Sequence, residues 1–79
     1  LIFSALPLLA QQRVTEHFSV APLEEVFQVF EDKYGLLLAF DPAILSGKTV
    51  SIRLQEEEVV HSFYLILEQS GLEYLTVNE

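Results

Sequence analysis

The chain has 79 residues, no cysteine, and twelve Asp and Glu against four Lys and Arg, for a formal charge of −8. A chain of this size makes one domain that buries roughly 60% of its unfolded surface. Its acidity repels nucleic-acid backbones and anionic lipid heads, and the lack of Cys excludes disulfides, thiolate zinc sites and a cysteine nucleophile.

Residues 1–10, Leu-Ile-Phe-Ser-Ala-Leu-Pro-Leu-Leu-Ala, carry no charge and give way at once to Gln11-Gln12 and a polar sequence. Such a run is too short to span a bilayer, which needs about 20 apolar residues, and it reads as the remnant of a secretory signal peptide. Small Ala10 and the following Gln11 mark the expected cleavage point. On this reading residues 11–13 are a linker, the domain occupies 14–79, and the chain is a fragment of a longer protein.

Val14, Phe18 and Val20 alternate with Thr15, His17 and Ser19, the pattern of a strand buried on one face, with Glu16 as the one discord on the apolar side. Pro22 has the fixed φ of a first helical position, and Glu24 and Glu25 follow where the helix dipole favours negative charge. Leu23, Val26, Phe27, Phe30 and Tyr34 then form one stripe, closed by Gly35. Leu36 to Phe40 is a continuous apolar run bounded by an Asp41-Pro42 turn and reads as a buried strand. After the Ser46-Gly47 turn, Val50, Ile52 and Leu54 alternate with Thr49, Ser51, Arg53 and Gln55. Glu56, Glu57 and Glu58 are placed to open a second helix that Gly71 ends, and Leu72 to Val77 is the last strand.

The dipeptides Gly35-Leu36 and Gly71-Leu72 stand 36 positions apart. The same offset carries Leu23 onto Val59, Phe27 onto Phe63, Phe30 onto Ile66 and Leu38 onto Tyr74. The chain is therefore a doubled unit whose copies share one core. The second helix is apolar around most of its circumference, through Val59, Val60, Phe63, Tyr64, Leu65, Ile66 and Leu67, so it must be covered on more than one side. Helices lying between two small sheets satisfy that demand. A split βαβ sheet with both helices on one face is simpler, but it leaves much of the second helix wet.

Several segments together carry a resemblance: Phe18-Ser19-Val20-Ala21-Pro22-Leu23-Glu24-Glu25-Val26-Phe27, Tyr34-Gly35-Leu36, Asp41-Pro42 and Ser70-Gly71-Leu72-Glu73-Tyr74. In order and spacing they resemble the secretin and TonB N-terminus short domain over residues 14–79, with a departure at Val60-His61-Ser62, where that family more often has small or aliphatic residues. The resemblance implies an α+β fold of two βαβ repeats, with two helices sandwiched between a two-stranded and a three-stranded sheet. It implies a periplasmic signalling role in a TonB-dependent outer-membrane receptor, where the module touches an inner-membrane anti-sigma regulator. The same module in a secretin faces the inner-membrane secretion machinery instead.

Chemistry-bearing patterns are sparse. Glu58-Val59-Val60-His61 has the Glu-x-x-His spacing of di-iron carboxylate bundles, but those sites need a second such motif and two further Glu. His17 falls on the polar face of the first strand, and Glu31 and Asp32 are helix neighbours that diverge. No catalytic, cofactor or metal residues are therefore expected, and the acidic chain is not expected to bind nucleic acid. Small sheets have most of their strands at an edge, and an open edge invites a partner strand. The polar face of the most regular strand, Thr49, Ser51 and Arg53, is the expected contact.

Overall fold

The computed structural model describes residues 1–5 and 12–78. In chain order the elements are β1 (Ile2–Ala5), β2 (Arg13–Pro22), α1 (Leu23–Asp32), β3 (Leu37–Ala39), a 3₁₀ turn over Pro42–Leu45, β4 (Thr49–Glu58), α2 (Val59–Ser70) and β5 (Leu75–Asn78). β2 and β4 pair antiparallel as a two-stranded sheet. β1 is the middle of a three-stranded sheet, antiparallel to β3 and parallel to β5. The fold is α+β, built of two units, β2-α1-β3 and β4-α2-β5, with the helices between the two sheets.

The 36-residue offset acts on whole elements: β2 starts at 13 and β4 at 49, α1 at 23 and α2 at 59. Leu23, Phe27 and Phe30 are buried with their counterparts Val59, Phe63 and Ile66. The ring of Phe63 lies 5.0 Å from that of Phe27 and 5.2 Å from that of Phe30, and Phe27 meets Phe40 edge-on at 5.2 Å. Val14, Val50 and Leu54 close this core from the two-stranded sheet. Leu36, Leu38, Phe40, Leu72 and Tyr74 pack on it from segments in or beside β3 and β5. Each fully buried large side chain contributes about 1.5–3 kcal/mol of transfer free energy. Ser62, buried inside α2, donates its hydroxyl to the Glu58 carbonyl at 2.8 Å, so its polarity is satisfied locally.

Gly71, with φ of 71°, is the left-handed cap of α2, and the Leu72 N–H reaches back to the Leu67 carbonyl at 3.2 Å. A residue with a Cβ would be strained at this φ. Asp41 caps the 3₁₀ turn by accepting the Ala43 N–H at 3.0 Å, which is what the Asp-Pro pair supplies locally.

Five sequence expectations are revised. Residues 2–5 do not stand apart from the domain: Ile2, Phe3 and Ser4 pair with Ala39, Leu38 and Leu37, and Ile2–Ala5 pair with Leu75–Asn78. The Ala10/Gln11 cleavage point lies outside the described residues. Glu56–Glu58 extend β4 rather than opening α2, because Glu57 and Glu58 are held in the ladder opposite Val14 and Arg13. Val20 is not on the buried face; it is 67% exposed, because the strand bulges there and its alternation resets. The Leu36–Phe40 run yields only Leu37–Ala39 as strand, and the last strand begins at Leu75 rather than Leu72.

Candidate interaction surface

The outer face of the β2–β4 sheet is organised by two bulges. His17 stands opposite Arg53 and Phe18 opposite Ile52, while the register shifts by one on either side of this segment. Each shift contains a residue with positive φ, Val20 at 46° and Glu56 at 50°. Each is tied across the sheet by a hydroxyl: the Val20 N–H donates to Ser51 Oγ at 2.8 Å, and the Glu56 N–H donates to Thr15 Oγ1 at 3.2 Å. Thr15 and Ser51 are themselves 36 positions apart, as are Val20 and Glu56, so the two bulges exchange under an approximate two-fold relation between the halves.

Thr49, Ser51 and Arg53 are all exposed on β4, Thr49 opposite Pro22 and Arg53 opposite His17. Ser51, however, is fully engaged. Its hydroxyl holds the Val20 bulge, and its N–H donates to Gln69 Oε1 of α2 at 3.0 Å. At that point the outer edge of β4 is already capped by its own helix. The structure thus brings the three residues to one strand without leaving the central one open to a partner.

The discordant Glu16 has a specific environment. Its Oε2 accepts from Lys33 Nζ and from the Tyr34 hydroxyl, each at 2.6 Å. Burial pushes the Glu16 carboxyl up, but the hydrogen bonds from Lys33 and Tyr34 and the Lys33 charge outweigh it and hold the group below its ordinary value. The bond to Glu16 and its charge raise Lys33, while burial and then the bond to Glu16 raise Tyr34. The Lys33 ammonium also lies 5.5 Å from the Tyr34 ring centroid. Tyr34 is buried in the core, so Glu16 joins the apolar interior to a charged rim.

That rim borders a groove of about 400 Å³ between β2 and α1, lined by Glu16, Glu25, Gln28, Val29, Asp32 and Lys33. The four α1 residues recur at three- and four-residue steps and make one flank of the helix. The Gln28 side-chain amide donates to Asp32 at 2.8 Å. In sequence, the signal for this site was the acidic residue at a strand position that alternation assigns to the core.

Glu58 and His61 are exposed where β4 passes into α2, and His17 is exposed opposite Arg53. Among the described residues no group of three His, Asp or Glu side chains converges as a metal site would, and no helix is long and apolar enough to cross a membrane. Comparison with protein-family models, curated proteins and solved structures gives no match.

Proposed function

We propose that this chain is a protein-interaction and signalling module on the periplasmic side of the Gram-negative outer membrane. In this reading it belongs to a TonB-dependent receptor and relays substrate binding to an anti-sigma regulator. The observation that carries the reading is the architecture: two βαβ halves with their helices between a two-stranded and a three-stranded sheet, the arrangement that the resemblance of the Pro-Leu, Gly-Leu and Asp-Pro segments implies. The periplasmic placement rests on that resemblance and not on the apolar run at residues 1–10, whose Ile2–Ala5 segment is a sheet strand. Sheet edges support a binding role, since both strands of the β2–β4 sheet have one side unpaired within it.

Deleting this domain from the parent receptor tests the reading. Substrate-induced transcription should disappear while substrate uptake continues. Loss of protein secretion instead would assign the domain to a secretin, and unchanged transcription would reject the signalling role.

A further inference from the structure

The two halves are alike in backbone but differ where it matters for docking. The 36-residue offset that relates Ser51 to Thr15 also relates Gln69 to Lys33. In the second half, Gln69 Oε1 accepts the Ser51 N–H and closes the β4 edge. The first half has a lysine in that place, and an ammonium has three donors and no acceptor. Lys33 turns to Glu16 instead. The Thr15 N–H, equivalent to that of Ser51 and pointing off the ladder by the same symmetry, is capped by no side chain among the described residues. Among the described residues β2 is therefore the open edge of this sheet and β4 the closed one.

Beside the open edge runs the β2–α1 groove, with Val29 as an apolar patch among Glu16, Glu25 and Asp32. Lys33, the one cation among the described residues that line it, is already committed to Glu16. A chain added along β2 sends alternate side chains toward the groove and the others to solvent. The geometry points to β2, centred on Thr15, as the docking edge for an extended cationic segment of a partner protein, with Lys or Arg at alternate positions meeting Glu25 and Asp32. This inference rests on the reading that the chain binds another protein, and it moves the contact from Thr49, Ser51 and Arg53 to the opposite strand.

Charge attraction and edge pairing make opposite predictions for Lys33→Gln. The substitution makes the chain more negative, so charge alone strengthens binding of a cationic peptide. It also installs on β2 the cap that Gln69 gives β4, so edge pairing weakens it. The probe is a blocked peptide of alternating lysine and valine, titrated into the isotopically labelled 79-residue chain. Amide shifts should centre on Thr15 and His17 and on the Glu25–Asp32 flank, leaving Ser51 in place. Lys33→Gln should weaken binding by at least about fivefold, the loss of roughly one backbone hydrogen bond. Gln69→Lys, which uncaps the other half, should add a second set of shifts at Ser51. A glutamate–valine peptide should not bind.

Equal or tighter binding to a folded Lys33→Gln chain overturns the edge proposal, as do shifts confined to β4 in the parent chain. If Lys33→Gln fails to fold, the parent map and Gln69→Lys still decide the matter. A regulator that binds away from β2 defeats this inference but leaves the proposed function standing. A peptide that docks on β2 while no regulator binds does the reverse.

Discussion

Val20 and Glu56, 36 positions apart, hold the same left-handed backbone conformation at φ of 46° and 50°, each at a bulge and each donating its N–H to a hydroxyl of the facing strand. For residues with a Cβ this region is unfavourable by about 1–2 kcal/mol, and a β-branched valine is among the poorest fits. Glycine relieves the strain while adding freedom to the unfolded chain. Val20→Gly and Glu56→Gly are each expected to stabilise the domain by about 0.5–1 kcal/mol in urea unfolding, with the larger gain at Val20. Destabilisation by both would contradict the bulge geometry.

Phe63 is fully buried and faces both Phe27 and Phe30. Truncation to alanine removes transfer free energy and leaves a cavity, together about 3–5 kcal/mol, enough to unfold a domain of this size. His61→Ala, on the exposed side of the same helix, is expected to change stability by less than about 0.5 kcal/mol. Thermal melting of the pair checks this, and a Phe63→Ala chain that melts within a few degrees of the parent would place the ring outside the core.

The Glu16 carboxyl is held below its ordinary value of 4.5 in the folded chain. Because the folded value is the lower one, the ionised group stabilises the fold above pH 4.5, and this contribution fades as pH falls through the folded value. Glu16→Gln is therefore expected to cost about 1 kcal/mol at neutral pH, modest because Lys33 is solvent-exposed. The gap between the two chains should close on acidification. Urea unfolding of both chains between neutral and acid pH measures it, and a gap independent of pH would show that the Glu16 charge plays no part.

β1 is the strand through which β3 and β5 are joined. A chain lacking residues 1–5 is expected to lose amide-exchange protection in β3 and β5 and to melt well below the parent, since neither short strand has another sheet partner among the described residues. Unchanged melting would mean that the segment contributes nothing to the domain.

The doubled pattern was legible in the sequence because Leu23/Val59, Phe27/Phe63 and Phe30/Ile66 sit on helix stripes, whose spacing survives without tertiary context. Pairing and register were not legible. A bulge leaves no periodic trace, so alternation alone puts Val20 on the buried face. Glu57 and Glu58 satisfy helix-start preferences, yet pairing with Val14 and Arg13 keeps them extended. The middle strand Ile2–Ala5 is hidden because the uncharged run at residues 1–10, interrupted by Pro7 and without periodicity, reads as an export signal rather than a buried strand. At the surface, alternation found the exposed face with Thr49, Ser51 and Arg53. It could not register that Gln69, 18 residues beyond Ser51, reaches back to cap that edge. The discord at Glu16 was visible; its partners Lys33 and Tyr34 come from the far end of a helix.

The most direct measurement of the proposed function is a calorimetric titration of the chain with the periplasmic domain of an inner-membrane anti-sigma regulator from the same cell. The expected result is saturable one-to-one binding that weakens as salt screens the acidic groove. Absence of binding up to about 1 mM, where association contributes only about 4 kcal/mol, would contradict a signalling role for this domain.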